Sequence, residues 1–507
     1  MRAIYGVPVV AVAIGWPLSS SRCDFMSRSR IFLESLSKKN EIQEEEEVVS
    51  VPEVVVVEKI SWRRRWRLVL LEYFEICRAA TRLWVLASPL ALAGPLAWVG
   101  ILNEEVVWQY ALWATQAAGP TCVKLAQWAS SRDDRFPAKF CEKFSRLQDD
   151  ARSHSWRETA KLLDKSFKDW RDVLDMSECP IGTGCVAQVY KAKLKKDVAH
   201  GGGRRGDLVA VKVVHPEARR RIHVDLLLLK AMAHVVEFVI PSSKWCSVAE
   251  AVDEFSRTID KQMDMRREAN HLLRFSENFK HTKDVFFPRP RSPLCSDDVL
   301  VEDFVHGESM KDFVKRCQLT NAPSLRTRTK LAKIGVDAVC KMIFHDNLLH
   351  GDLHPGNILV TNDGQDGTAP TVCFLDAGIV VELKKHQHRH FVQVLSAFMR
   401  HDGQKAGELM LSQQQSKNNE ADIDTARDDF CKTLKSITDN VADEPFFENV
   451  SSYTTRIFDS AARSKVRLEG YFVSTAIAIR VMEGVANALD KDVKIGDLAL
   501  PWIVSSS

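Results

Sequence analysis

The stretch HGDLHPGN at residues 350–357 is followed, after a short apolar run and a loop, by FLDAG at residues 374–378. The first stretch has the form His-x-Asp-x-x-x-x-Asn, which places Asp352 and Asn357 in one loop. The second stretch adds another carboxylate, Asp376, on a separate turn. Either stretch alone suits a His- and Asp-rich surface loop. Their order, and the strand-like run beside each, predict one site built from all three side chains.

These three side chains suit phosphoryl transfer. Asp352 can accept the proton of a hydroxyl group or orient an attacking group. The amide oxygen of Asn357 and the carboxylate of Asp376 can hold Mg²⁺ against phosphate oxygens, because Mg²⁺ requires hard oxygen ligands. The two stretches therefore predict phosphotransferase chemistry of the kinase type.

Length and composition set the broad class. A chain of 507 residues has room for two to four domains and a sizeable core. Its hydrophobic content of 45% and charged content of 27% are typical of globular proteins. The net charge of +3 comes without a basic stripe interleaved with aromatics, so no nucleic-acid partner is expected. The 12 cysteines form no Cys-x-x-Cys pair, which indicates a reducing compartment and thiols buried as small core residues.

Residues 1–60 are interpreted as a targeting sequence and a disordered linker. Before residue 40 the chain is rich in Ser and Arg, and its only acidic residues are Asp24 and Glu34. This composition favours mitochondrial import over a secretory signal formed by residues 9–16. The acidic run at residues 44–47, with the Val-rich stretch after it, is typical of a flexible connector.

Residues 61–103 form a basic-flanked apolar segment. Arginines at positions 63–65 and 67 precede residues 83–102, which carry no charge and are long enough to span a bilayer. Pro89 and Pro95 weaken a single spanning helix, because each removes a backbone donor. A membrane span and a buried hairpin therefore both stay open. Residues 104–175 are predicted to be a helical N-terminal extension, in which Lys124 and Gln127 lie on one helical face.

Residues 176–305 are predicted to form a small lobe with strands. A Gly-rich turn between strand-prone residues resembles the kinase phosphate-covering loop, since glycines let a backbone approach phosphates closely. The predicted nucleotide-contacting residues of this turn are Ile181, Gly182, Thr183, Gly184, Cys185, Val186, Ala187 and Val189. The following strand carries Lys212 in the sequence VAVK, which is the kinase order.

Two acidic residues complete the predicted nucleotide site. A buried lysine needs a carboxylate partner to stay charged, and Glu268 on a predicted helix is the candidate partner of Lys212. Glu302 lies in a predicted strand that leads into a turn at Gly307, where the backbone can bind an adenine. Residues 306–507 are predicted to be a predominantly helical large lobe that carries the site.

The assembled motifs resemble the UbiB, or aarF-domain-containing, atypical kinase-like family, over about residues 105–495. HGDLHPGN is nearly a signature of that family. KLAQ at residues 124–127 is similar to its Lys-x-Gly-Gln motif, and Gln262-Met263-Asp264 lies where the family has Glu-x-Asp. The GTGCVAQV loop and Asp-Ala-Gly are most similar to the mitochondrial aarF domain-containing kinase 2 type.

This resemblance implies an α+β, bilobal protein-kinase-like fold with a helical N-terminal extension. It implies a nucleotide (ATP or ADP) and Mg²⁺ as cofactors, with Lys212 on the phosphates, Asp352 as the catalytic-loop carboxylate, and Asn357 and Asp376 on the metal. It makes Lys124, Gln127, Gln262 and Asp264 parts of a regulatory lid. The implied partners are the mitochondrial inner membrane, a lipid or isoprenoid-quinone-related substrate of ubiquinone biosynthesis, and a biosynthetic complex.

Two departures bear on the lid. Ala126 replaces a glycine of the family motif, and Gln262 replaces a glutamate. A nucleotide-binding pseudokinase that acts as a scaffold is therefore the alternative to a Mg²⁺-ATP-dependent enzyme. A conventional protein kinase is the least favoured reading, because no Ala-Pro-Glu element follows Asp376.

Overall fold

The structure is a computed structural model. It describes residues 62–130, 136, 138–144, 147, 153–167, 169–216, 218–239, 248–320, 323–362, 369–412, 420–439, 450–464, 466 and 468–506. The targeting sequence and linker predicted for residues 1–60 lie outside this range. Two compact units divide the described residues: 62–122 with 220–239, and the remainder.

Helices dominate both units. In chain order they are α1 Trp62–Trp98, α2 Glu104–Ala118, α3 Pro120–Ser130, α4 Ala138–Phe144, α5 Trp156–Ser166, α6 Trp170–Val173, α7 Ala218–Val239, α8 Val248–Gln262, α9 Met265–Asn278, α10 Met310–Thr320, α11 Leu325–Cys340, α12 Lys385–Met399, α13 Gly403–Ser412, α14 Glu420–Asp439, α15 Val450–Arg463, α16 Gly470–Leu489 and α17 Ile495–Ser506.

The strands all belong to the second unit. They are β1 Leu174–Met176, β2 Gly182–Thr183, β3 Ala187–Leu194, β4 Leu208–Val214, β5 Val285–Phe286, β6 Val299–Asp303, β7 Glu308–Ser309, β8 Leu349–His350, β9 Ile358–Asn362, β10 Thr371–Phe374 and β11 Val380–Val381. The predicted α+β class is therefore confirmed.

The small lobe is built on an antiparallel sheet. Its strand order is β1-β3-β4-β6, and β2 pairs with β3. Valines and other apolar residues of β3, β4 and β6 pack on Leu163 and Trp170 of the helices that precede the sheet. Lys212 lies in β4 opposite Val189 on one side and Leu300 on the other. The central strand therefore fixes the position of the lysine from both sides.

The large lobe surrounds a second, smaller sheet with helices. That sheet has the order β5-β10-β9-β7, and β8 pairs separately with β11. Helix α11 packs against α16, whose apolar side chains are largely buried. The chain leaves α11 through a single π-helical turn, Lys341–His345, and then enters β8. This route delivers His350 to the centre of the lobe.

The first unit contains α1, α2, the start of α3 and most of α7. Leu83 of α1 is buried in a cluster with Ala118 and Cys122, and Leu228 and Leu229 of α7 pack against it. Next to this cluster, Arg82 forms an ion pair of 3.1 Å with the buried Asp225. The hydroxyl of Thr121 donates to the same carboxylate at 2.8 Å. These contacts hold the middle of α1 against α7.

Residues 83–102 form the end of a helix and a turn. Helix α1 ends at Trp98, and the hydroxyl of Tyr110 on α2 donates to the Leu86 carbonyl at 3.2 Å, so α1 and α2 form a helical hairpin. The helix continues through Pro89 and Pro95, against the sequence signal. At Pro89 the lost bond is replaced, because the Ser88 hydroxyl donates to the freed carbonyl of Val85 at 3.4 Å.

Two described helical segments have the length and hydropathy of a membrane span. They are Ile76–Gly94 within α1 and Gly470–Leu489, which is α16. Only 6% of the first window is buried, against 61% of the second. Helix α16 is accordingly a core helix of the large lobe, whereas α1 presents an apolar surface that its own unit leaves uncovered.

Candidate active site

A buried lysine lies between two carboxylates at the centre of the second unit. The Nζ atom of Lys212 lies 2.8 Å and 3.0 Å from the two carboxylate oxygens of Glu268. It also lies 3.2 Å from Oδ2 of Asp376. The side chains of Lys212 and Glu268 are 15% and 3% exposed, while that of Asp376 is 40% exposed. One side of Asp376 is therefore open for a ligand.

Helix α9 positions three parts of the site from one face. Glu268 binds Lys212, and His271, three residues on, binds the carbonyl of Ala377 through Nδ1 at 2.9 Å. Three residues further on, Arg274 makes two bonds of 2.9 Å to the carboxylate of Glu382. Residues at this spacing share a helix face. The sequence reasoning missed His271 and Arg274, although the three-residue period from Glu268 could have identified them.

The loop of residues 350–357 is held by its own histidine and by a neighbouring turn. His350 is fully buried, and its Nε2–H donates to the Leu375 carbonyl at 2.8 Å. The amide of Gly351 donates to the Ile379 carbonyl at 2.8 Å. A Cβ on Gly351 would lie 2.6 Å from Ile379 Cγ2, so only glycine permits this approach. The loop that carries Asp352 is thus fixed to the turn that carries Asp376.

Asn357 and Asp376 have the oxygen atoms that a Mg²⁺ ion requires. The Nδ2 group of Asn357 donates to the Asp352 carbonyl at 3.1 Å, which leaves its Oδ1 as the available acceptor. Asp376 has a φ of +52°, in the sparsely populated left-handed region, and its Oδ1 accepts from the Gly378 amide at 3.2 Å. Among the described residues no cluster of three His, Cys, Asp or Glu side chains forms a metal cage. One carboxylate and one amide still fit Mg²⁺, which takes its remaining ligands from water and phosphate.

Charge is unevenly balanced in this cluster. Burial alone would lower the pKa of Lys212, but Asp376 and Glu268 raise it above its usual range. Burial alone would raise the pKa of Asp376, but Lys212 and His350 hold it well below its usual value. Burial raises the pKa of Glu268 to about 7, against the opposing charge of Lys212. Burial and the charge of Glu268 raise the pKa of Glu302 to about 8. The raised pKa values of Glu268 and Glu302 indicate that one lysine does not compensate three carboxyl groups, which favours binding of a further cation.

Glu302 differs from the other acids because its carboxylate has an atom with no partner. Its Oε2 is buried and makes no hydrogen bond. The residue lies in β6, where it pairs with Ala210. It is part of the strand that the sequence predicted to lead into the adenine-binding turn.

The Gly-rich loop is a tight turn between β2 and β3. Gly182 and Thr183 pair with Val189 and Gln188, and the amide of Ile181 donates to the Val189 carbonyl at 2.8 Å. The turn closes through the Gly184 amide, which donates to the Ala187 carbonyl at 2.9 Å. Cys185 and Ala187 are buried beneath the turn, and Ile181 is 56% exposed.

The four predicted lid residues lie on three helices of the second unit. Gln127 on α3 donates to the Leu147 carbonyl at 3.2 Å, and Lys124 is half-buried one turn earlier. Asp264 caps the start of α9, because its side chain accepts from the Arg266 amide at 3.1 Å. At the end of α8, Gln262 lies near the turn that carries Asp376, where a Cβ built on Gly378 would lie 3.9 Å from the Cγ of Gln262.

Helix α8 contacts both α3 and the turn that carries Asp376. The ring of Trp128, next to Gln127, packs on Phe255 of α8 with centroids 5.9 Å apart. The same helix ends at Gln262, beside Gly378.

The comparisons with known proteins agree on one family. The family described as the ABC1 atypical kinase-like domain matches residues 146–410. The chain is 30% identical to "ABC1 family protein YPL109C, mitochondrial" of Saccharomyces cerevisiae, over 82% of this chain and 72% of that protein. It is 28% identical to "Probable serine/threonine-protein kinase abkC" of Dictyostelium discoideum, over 80% and 65%. It is 25% identical to "Probable protein kinase UbiB" of Vibrio cholerae, over 77% and 69%.

Proposed function

Because the chain belongs to the ABC1 atypical kinase-like family, we propose that it binds ATP with Mg²⁺ and acts as an atypical kinase or ATPase. The observation that carries this proposal is the contact of one buried Lys212 with both Glu268 and Asp376. This contact joins the small-lobe strand, a helix and the metal-binding turn in one arrangement. Such an arrangement suits a triphosphate and its metal ion.

The chain's own residues would act mainly by position and charge. Lys212, held by Glu268, would bind phosphate oxygens, and the backbone of the Gly-rich loop would cover them. Asn357 and Asp376 would hold Mg²⁺, which neutralises charge on the phosphates when bound. Asp352 would orient the acceptor, a hydroxyl group or water. Gln262, at the edge of the metal-binding turn, would be the contact through which the lid residues Lys124 and Gln127 influence the site.

The biological setting is proposed from the relatives. Two of the relatives carry "mitochondrial" in their names, in Saccharomyces cerevisiae and Schizosaccharomyces pombe. We place this chain in mitochondria, at the inner membrane, where it would support ubiquinone or other lipid metabolism in contact with a biosynthetic complex. A lipid or isoprenoid-quinone-related molecule would be the acceptor. The matched family contains several types of protein. That this chain is of the aarF domain-containing kinase 2 type is therefore part of the proposal.

The α1–α2 hairpin is the proposed membrane contact. Leu92, Ile101 and Val106 are 73%, 70% and 62% exposed at its tip. The uncharged end of α1, residues 83–98, is about 24 Å long, which is less than the hydrocarbon thickness of about 30 Å. Arg82 is fixed by Asp225 at the base of this segment. We therefore propose that the tip inserts into one leaflet and does not span the bilayer.

Vesicle flotation tests the hairpin. Leu92→Glu combined with Ile101→Glu should lower the fraction bound to cardiolipin-containing phosphatidylcholine vesicles at least about tenfold, because carboxylates are costly in hydrocarbon. Leu319→Glu is the control, since Leu319 of α10 is 77% exposed and lies outside the hairpin. Equal loss in the control and the hairpin variant would contradict a specific role of the tip.

A thermal melt of the full chain tests nucleotide binding. ATP with Mg²⁺ at 100 times Kd stabilises a folded state that alone binds it by about 2.7 kcal/mol, and should raise the midpoint on the order of 5 °C. The rise should be smaller when EDTA removes Mg²⁺. ATP turnover measured on the same protein separates the two readings of the site.

Each outcome has a definite meaning. A Mg²⁺-dependent shift with turnover supports the enzyme. A shift without turnover, with or without a lipid acceptor present, supports a nucleotide-binding pseudokinase that acts as a scaffold. No shift with ATP or ADP, in a protein that melts cooperatively, would overturn the proposed nucleotide site.

A further inference from the structure

A chain of hydrogen bonds, partly buried at the histidines and fully buried at its far end, runs from the Gly-rich loop to the helix that precedes the small-lobe sheet. His215, just after β4, binds the Gly184 carbonyl through Nε2 at 2.8 Å. Its Nδ1 lies 2.7 Å from Nδ1 of His154. Nε2 of His154 lies 2.8 Å from the hydroxyl of Thr159 on α5. That hydroxyl lies 2.7 Å from the hydroxyl of Tyr190 on β3.

The carbonyl of Gly184 fixes the direction of these bonds. A carbonyl only accepts, so Nε2 of His215 carries the proton and donates. In the neutral ring Nδ1 of His215 then accepts, and Nδ1 of His154 must donate to it. Nε2 of His154 consequently accepts from Thr159. A single tautomer of each histidine therefore satisfies the chain.

Gln188 closes the far end of the chain. Its Oε1 accepts from the backbone amide of His154 at 3.1 Å, and its Nε2 donates to the His154 carbonyl at 3.3 Å. The same Nε2 binds the hydroxyl of Tyr190. Gln188, Thr159 and Tyr190 are all fully buried. A buried polar group that makes no hydrogen bond lowers the stability of the fold. A network in which these buried groups bond to one another therefore holds its members in one geometry.

The surroundings of His154 keep it neutral. Burial, together with the neighbouring His215, lowers the pKa of His154 to about 4, against the charge of Glu158 on α5. A proton added to Nδ1 of His215 would place two N–H groups against each other.

The network ends at the two structures that bind phosphates in the proposed function. Gly184 lies in the Gly-rich loop, and the backbone amide of His215 also donates to the Val186 carbonyl of that loop at 2.9 Å. His215 itself follows Lys212 closely at the end of the same strand. The Gly-rich loop is thus bonded to the end of β4, the strand that carries Lys212. His154 in turn binds the ring of His215 at that end.

We propose that His154 and His215 are positioning residues that fix the Gly-rich loop over the nucleotide phosphates, by linking Gly184 to α5 of the N-terminal extension. This proposal rests on the proposed nucleotide site and adds how the extension controls it. The helical extension would act on nucleotide affinity through these two side chains, independently of Gln262 and the lid.

A matched pair of substitutions at His154 tests the link. His154→Asn keeps a donor near the place of Nδ1, whereas His154→Phe keeps the bulk and removes the donor. Nucleotide Kd should rise about tenfold in His154→Phe, as expected for the loss of one hydrogen bond that positions the loop, and stay within about twofold of wild type in His154→Asn. The affinity should change more than the turnover rate at saturating nucleotide.

Hydrogen exchange in the absence of nucleotide measures directly how firmly the Gly-rich loop is held. Amides of residues 182–187 should exchange faster in His154→Phe and at the wild-type rate in His154→Asn, while residues 349–362 are unchanged in both. A second pair, His215→Leu and His215→Gln, gives the same test from the other side, because Gln retains a donor toward Gly184.

The two proposals fail differently. If wild type binds no nucleotide, the proposed function fails while exchange still tests the link. If wild type binds nucleotide but His154→Phe and His215→Leu leave both affinity and loop exchange as in wild type, the link is overturned. Equal losses in the Phe and Asn variants would also overturn it, because the donor would then be irrelevant.

Discussion

Replacing Asp376 by Asn should reduce Mg²⁺-dependent ATP turnover at least about 100-fold, because the substitution removes the only carboxylate among the proposed metal ligands. The fold should be retained. Asn tolerates the left-handed φ of +52° at this position, and its side-chain oxygen can still accept from the Gly378 amide. Lys212 keeps its two bonds to Glu268. The measurement is turnover as a function of Mg²⁺ concentration.

Two control measurements accompany this experiment. The thermal midpoint of Asp376→Asn without nucleotide should match wild type within a few degrees, which separates loss of chemistry from loss of fold. Nucleotide without Mg²⁺ should bind the variant at least as well as wild type, because one negative charge near the phosphates has been removed. Turnover within about tenfold of wild type, at any Mg²⁺ concentration, would show that another group holds the metal.

The site residues that were predictable from sequence are those in local motifs. Asp352, Asn357 and Asp376 lie in two short stretches whose order and chemistry point to one function, so spacing alone placed them together. Lys212 was identifiable for the same reason. Its partner Glu268 is 56 residues away, and many other acids were available, so the resemblance to a family had to select it.

The residues that were missed act through long-range contacts. His271 binds a carbonyl 106 residues away, and His154 binds a ring 61 residues away. The helical period from Glu268 indicates at most the face on which His271 lies, and a lone histidine in a loop, such as His154, carries no sequence signal for its partner. The apolar segment at residues 83–102 was ambiguous for a related reason. The end of α1 at Trp98, the cap of α2 at Asn103 and the bond between Tyr110 and Leu86 show a helical hairpin, and no local pattern predicts that long-range bond.

Removing the cation from the buried cluster should destabilise the protein strongly. Lys212→Met leaves Glu268 buried without its partner, and breaking a pair of this kind costs about 3–5 kcal/mol of folding free energy. Glu268→Leu should cost less, because Asp376 stays 3.2 Å from Lys212 and is partly open to water. Urea unfolding of each single variant measures these free energies.

The double variant distinguishes the effect of an uncompensated charge from the effect of lost packing. Lys212→Met with Glu268→Leu removes both buried charges, so we expect it to lie within about 2 kcal/mol of wild type although it has lost nucleotide-dependent function. Additive losses from the two single variants would show that packing, and not the uncompensated charge, causes the destabilisation.

The dependence of folding stability on pH tests the same argument independently. Burial already raises the pKa of Glu268 to about 7 with Lys212 present, and removal of the lysine raises it further. In the unfolded chain this carboxyl titrates near about 4.3. Because the folded pKa is the higher one, stability is lost as pH rises from the unfolded value through the folded value. The penalty of Lys212→Met should therefore be small at pH 5 and large at pH 8, and the double variant, which lacks the Glu268 carboxyl but keeps Glu302 and Asp376, should show a smaller increase.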